Sequence, residues 1–188
     1  MDKQLEAYLV SEYPLIFRSY GGDPAKTSMT WGCECGSGWF WLIDALCRRI
    51  QNDYDNRVRN RNWEIKEGKI PEHEEMDEIV CPYFEQVKQK FGTLRIYTGG
   101  NTNKTFAMVD TVGELSANVC ENCGCPARTN HDGWSRTECP ACRLANTKTP
   151  YLFEARVNDG DVYKERRENF VEQALEWIED KKKDEAFL

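Results

Sequence analysis

Two Cys-x-x-Cys pairs, Cys120/Cys123 and Cys139/Cys142, stand fifteen residues apart and constrain this chain more than any other feature. At this spacing four thiolates can reach the corners of a tetrahedron around Zn²⁺, each pair forming one tight knuckle. Four protein ligands close the coordination sphere, so the expected cofactor is one structural Zn²⁺ at Cys120, Cys123, Cys139 and Cys142, not a catalytic ion that keeps a water. Such a metal supplies folding free energy to a segment too short to hold itself. Cys125 crowds the first knuckle as a substitute ligand, His131 reads as a loop residue, and Gly133–Thr137 reads as one arm of a ribbon hairpin. The chain has nine cysteines, an odd number that rules out complete disulfide pairing. Cys33-x-Cys35, joined by Cys47 or Cys81, offers a second metal set; the plainer reading is buried thiols acting as small hydrophobes.

A length of 188 residues with 40% hydrophobic residues suffices for a self-supporting core. The net charge of −7 argues against wholesale wrapping of nucleic acid and leaves room for one local basic site. No apolar run approaches the roughly 20 residues of a membrane span, and the N-terminus carries no signal-peptide pattern, so the expected location is the cytoplasm.

Along the chain, residues 2–20 read as a short helix ending before Tyr13-Pro14. Trp39, Leu42, Ile43, Leu46, Cys47 and Ile50 recur at helical spacing and predict a helix over 38–51, with Ser37 as its cap. Residues 48–62 carry five arginines and residues 63–79 seven acids, which read as solvated faces or loops, or else as a dipolar docking surface. Residues 84–91 suit a short helix or strand, Phe91–Tyr97 a strand, and Phe106, Val109, Val112 and Leu115 a helix to about residue 117. Residues 151–157 read as a strand, followed by a turn at 158–160. A helix over 162–182 follows, with Val171, Ala174, Leu175 and Ile178 as its buried stripe beside Phe170 and Trp177. These elements predict an α+β fold with a small mixed or antiparallel sheet: a core over 1–118, a zinc-ribbon module over 119–148, and a strand and helix over 149–188 that pack back.

No nucleophile elbow, HExxH pair or dinucleotide fingerprint is present, so no catalytic residue is assigned and the chain reads as a non-enzyme. Two segments resemble anion cradles. Gly36-Ser37-Gly38-Trp39 opens a helix, where free amides and the helix dipole favour a phosphate. Thr98–Thr105 joins a strand to a helix, but Thr98 and Asn103 stand where a P-loop requires glycine. Arg18, Lys90 and Arg95 are cations that could complete a pocket with the first segment, Arg95 lying on the opposite sheet face from Leu94 and Ile96. Trp31, Trp39, Phe40 and Trp41 read as packing, or as a wall for stacking a base.

Tyr13–Arg18, Thr30–Cys47, Gln86–Tyr97, Glu114–Ser116, Cys120–Gly124 and Gly133–Cys139 together resemble a family of small zinc-ribbon-containing proteins encoded by tailed bacteriophages and prophages. Members often carry Asp where Ser37 stands, and a histidine where this chain has Cys142. The resemblance implies a phage accessory protein made in the bacterial host cytoplasm, and it transfers no activity. Such proteins act by binding. The expected partner is therefore a phosphate-bearing, nucleotide-like small molecule near Arg18, Gly36, Ser37, Gly38, Trp39, Lys90 and Arg95, or a host protein, in either case antagonising host defence. A zinc-ribbon nucleic-acid binder or transcription regulator ranks below these, and it predicts a basic face despite the global charge.

Overall fold

The computed structural model describes residues 1–70, 78–131, 133–146 and 159–185. The strand expected at 151–157 and the acidic loop around His73 lie outside the described residues. Among the described residues, five helices, a three-stranded sheet and a two-stranded sheet make the fold α+β, as the sequence predicts.

Helix α1 (Lys3–Glu12) is capped by the Asp2 side chain, which accepts the Gln4 N–H, and it buries Leu5, Tyr8 and Leu9. After Tyr13 the chain turns through Ile16 and Phe17, both in the core, to a 3₁₀ turn at Ser28–Trp31 and strand β1 (Cys33–Glu34). A second 3₁₀ turn, Ser37–Trp39, leads directly into α2 (Phe40–Lys66). Helix α2 is far longer than the apolar pattern implied. Ile43, Leu46, Cys47 and Ile50 bury its first half, and the arginine-rich stretch continues as solvated helix, not as a loop. No Gly or Pro interrupts residues 40–66, and the Asp44–Arg48 and Asp53–Arg57 pairs lie four residues apart at 3.7 and 3.3 Å. The helix stops at Gly68, whose φ of 65° permits a Schellman turn: its N–H reaches the Ile65 carbonyl and the Lys69 N–H reaches that of Glu64.

Strand β2 (Tyr83–Lys90) and β3 (Thr93–Gly99) form an antiparallel hairpin, and β1 pairs in parallel with the other edge of β2, giving the order β1-β2-β3. Val87 and Leu94 face the core, and Arg95 points the other way, as its alternation requires. Helix α3 (Asn103–Ser116) starts with a capping box between Thr102 and Thr105 and packs on β3, where the Ser116 hydroxyl accepts the Leu94 N–H at 2.8 Å. The second cradle is therefore a helix start satisfied by its own side chains. Its Lys104 ammonium pairs with Asp53 of α2 at 2.5 Å.

The cysteine-bearing segment forms a separate small hairpin, β4 (Arg128–Asn130) with β5 (Arg136–Glu138), followed by α4 (Pro140–Asn146). Helix α5 (Asp159–Glu185) returns across the molecule. Ala174 and Ile178 are buried, Val171 and Leu175 pack beside them, and Trp177 meets Tyr8 and Trp41 edge-on at centroid distances of 6.2 and 4.8 Å. Lys181 closes this contact through Glu12 at 2.6 Å and the Tyr8 hydroxyl at 2.9 Å. No described helix is long and apolar enough to cross a membrane.

One buried polar contact fixes α1 and its following turn on α2. The Tyr13 hydroxyl donates to the Asp44 carboxylate at 2.8 Å, and Asp44 is only 2% exposed. Burial first, then this bond and the carboxylate charge, push the Tyr13 hydroxyl well above its ordinary pKa. Tyr13→Phe leaves a buried carboxylate oxygen short of a donor and is expected to lower stability by about 1–3 kcal/mol, seen as a reduced urea midpoint at unchanged slope.

Candidate metal centre

The hairpin and the two knuckles bring the four expected ligands together. The sulfurs of Cys120, Cys123, Cys139 and Cys142 all lie within 4.8 Å of one another, and the four residues are 0 to 7% exposed. Among the described residues no other group of Cys, His, Asp or Glu converges in this way. The Cys123–Cys139 and Cys123–Cys142 sulfurs are 3.7 and 3.6 Å apart. A tetrahedral ion with metal–sulfur bonds of about 2.3 Å needs sulfurs about 3.8 Å apart, so the donor set and its spacing fit such an ion.

Local sequence explains the convergence. The Gly124 N–H reaches the Cys120 carbonyl and the Cys120 N–H reaches the Cys125 carbonyl, closing the first knuckle around Gly124, whose φ is 69°. In the second pair, the Cys142 N–H points at the Cys139 sulfur at 3.5 Å. Asn122 donates to the Cys142 sulfur at 3.2 Å. The bond from the Cys120 thiol lowers the Cys123 pKa against the cost of burial, and the same bond, then burial, pushes Cys120 upward. Burial raises Cys142 to about 11. Four thiolates in one buried site need a divalent ion to compensate them.

Two outer contacts escape sequence reasoning. Arg166 of α5 points its Nη2 at the sulfurs of Cys125, Cys123 and Cys139 at 3.3, 3.5 and 3.7 Å. No local spacing signals a guanidinium 43 residues beyond Cys123 in the chain. Cys125 lies beside the cluster, outside the converging set, and burial raises its pKa.

The other missed contact is Glu121, which lies within the glycine–serine cradle. The Gly38 N–H donates to the Glu121 carbonyl at 2.9 Å and the Gly36 N–H to its carboxylate at 3.0 Å. Burial raises the Glu121 pKa, and the Gly36 amide and Arg136 oppose that rise. The two glycines are needed for this approach: a Cβ on Gly38 would stand 2.2 Å from the Cys120 carbonyl oxygen, and one on Gly36 equally close to that of Glu121. Ser37 is not the helix cap expected of it. Trp39 holds the cap position of α2 and Gly36 that of the 3₁₀ turn before it, and the buried Ser37 hydroxyl accepts the Asp2 N–H at 2.9 Å. Trp39 is fully buried, its indole N–H on the Val119 carbonyl at 2.7 Å.

The cations expected to complete a pocket are placed elsewhere. Arg18 stacks 3.7 Å over the Tyr83 ring, Lys90 lies 5.5 Å from the Phe91 ring centre, and Arg95 is exposed on the sheet. The structure thus brings Gly36, Ser37, Gly38 and Trp39 together against the first cysteine knuckle and does not join them to Arg18, Lys90 and Arg95. Cys33, Cys35, Cys47 and Cys81 are buried, with pKa values raised chiefly by burial, as thiols packed in a core. His131 sits in an exposed loop against the Ser135 hydroxyl.

No protein family, curated protein or solved structure matches the chain.

Arg166 sets the outer electrostatics of the cluster, and removing an outer-sphere partner of a metal site typically costs 10- to 100-fold in affinity. Arg166→Ala is expected to speed metal transfer to a competing chelator about tenfold or more, while Arg167→Ala, an exposed neighbour, leaves the rate unchanged. Chelator absorbance against time reads both.

Proposed function

We propose that this chain is a non-enzymatic binding protein organised around one structural Zn²⁺ at Cys120, Cys123, Cys139 and Cys142, and that it engages a macromolecular factor of the host cytoplasm as a phage accessory protein. The observation that carries this reading is the buried cluster of four sulfurs, which would fill every position of a tetrahedral ion and leave none for a substrate. Sulfur-only tetrahedral sets select zinc or iron–sulfur clusters, and separations of 3.6 and 3.7 Å suit a single ion better than the wider spread of thiolates around several irons.

The phage origin rests on the resemblance described above. A small-molecule version of the reading, with a nucleotide held at Gly36, Ser37 and Gly38, requires displacing Glu121 from those amides. The cavity beside Gly36, of about 270 Å³, brings carboxylates from Glu121 and Glu138 alongside Arg136 and Arg167, a poor match for phosphate. A macromolecule contacting the outer surface needs no such rearrangement, and this favours it.

Native mass spectrometry of protein purified from bacteria without chelators tests the reading. One zinc per chain and no further bound mass is expected, with the zinc lost in Cys142→Ser and kept in Cys125→Ser. An additional mass of a few hundred daltons, released unchanged on denaturation, supports small-molecule capture in its place. A chain that carries no zinc contradicts the proposal.

A further inference from the structure

The β2–β3 hairpin has one face in the core and the other turned to solvent. Gln86, Lys88 and Lys90 stand on the outer face of β2, in register with Tyr97, Arg95 and Thr93 of β3. Arg95, Lys90 and Tyr97 are exposed, Tyr97 at 45%. None of Lys88, Lys90 and Arg95 forms an ion pair among the described residues, although the chain as a whole carries −7. Two acids border them: Glu34 of β1, the register partner of Lys88, and Glu85 at the bulge of β2, both exposed.

The hairpin turn adds an aromatic ring at the end of this face. Phe91 and Gly92 form a two-residue turn with φ of 54° and 80°. Asn, Asp or Gly ordinarily fills the first position of such a turn, and a bulky side chain there is strained. The Phe91 ring is nevertheless 68% exposed, so core packing does not explain it. Strained residues of this kind cluster at active sites, ligand clamps and switch regions. Each ring is also paired with a cation, Lys88 Nζ lying 5.5 Å from the centre of Tyr97 and Lys90 Nζ 5.5 Å from that of Phe91.

We infer that this open face, carrying Lys88, Lys90, Arg95, Tyr97 and Phe91, binds single-stranded nucleic acid. The cations neutralise successive phosphates while unstacked bases lie on the rings, a combination that tolerates sequence and requires bases free of a duplex. An acidic polypeptide would satisfy the cations and leave the rings without a role. The inference rests on the reading of the chain as a binding protein and names its surface and partner.

The probes are fluorescently labelled oligo-dT and oligo-rU of about 15 nucleotides, titrated by anisotropy with the full zinc-loaded chain at about 50 mM salt. Binding is expected, weaker by at least about tenfold for a duplex of equal length, with log affinity falling against log salt at a slope of about −2 for three phosphate contacts. The double variant Lys88→Ala/Arg95→Ala and the single variant Tyr97→Ala should each weaken binding about tenfold. Glu34→Gln should strengthen it about twofold, a gain that a misfolded variant cannot mimic. A folded, zinc-loaded chain that binds neither oligonucleotide overturns the inference and leaves the structural-zinc reading standing. A chain without zinc that still binds does the reverse. Binding indifferent to Lys88 and Arg95, or equal capture of poly-glutamate, also overturns it, the latter assigning the face to an acidic protein.

Discussion

The backbone contact between Gly38 and the first cysteine knuckle holds the two halves of this molecule together. Two glycines let the knuckle carbonyls approach the start of α2 to a distance that any Cβ would forbid, and two amides there are satisfied by Glu121. From that junction the metal-ligand cluster is locked in three directions. Trp39 reaches back to Val119, the Thr137 hydroxyl reaches the Gly92 carbonyl in the sheet hairpin, and α5 lays Arg166 and Phe170 over the knuckle. The cluster thus sits where the core, the β4–β5 hairpin and the C-terminal helix meet, although its sulfurs form a buried group of their own apart from the main core.

The same arrangement shows what a sequence can and cannot display. The ligands were legible because Cys-x-x-Cys spacing is a local geometric requirement, and the apolar stripe of α5 because helical periodicity is equally local. The length of α2 was not legible, since its second half is solvated and held by ion pairs four residues apart, a pattern that also suits a loop. Gly36-Ser37-Gly38 had the composition of an anion cradle, and its amides do meet a carboxylate. That carboxylate is Glu121, more than eighty residues away, and only the tertiary fold supplies it. Arg166 was hidden for the same reason: one guanidinium on a highly charged helix carries no mark of what it faces.

Charge separates structural from exposed roles across the surface. Several cations are engaged, Arg48 and Arg57 within α2, Lys104 between α3 and α2, and Lys181 between α5 and α1. Lys88, Lys90 and Arg95 depart from this pattern and share a sheet face with two exposed rings. With the cysteine cluster buried and the glycine cradle internally filled, that face is one whose chemistry is directed outward among the described residues.

A metal ion held by the four cysteines is expected to couple the β4–β5 hairpin to the core and to α5. Hydrogen exchange on the zinc-loaded chain, before and after chelation, tests it most directly. Loss of metal should abolish protection at Gly38 and Trp39, through the knuckles and along 166–178 of α5, while the interior of the β2–β3 hairpin and the first half of α2 keep theirs. Unchanged protection of α5 and of the Gly38 amide in metal-free protein would contradict it.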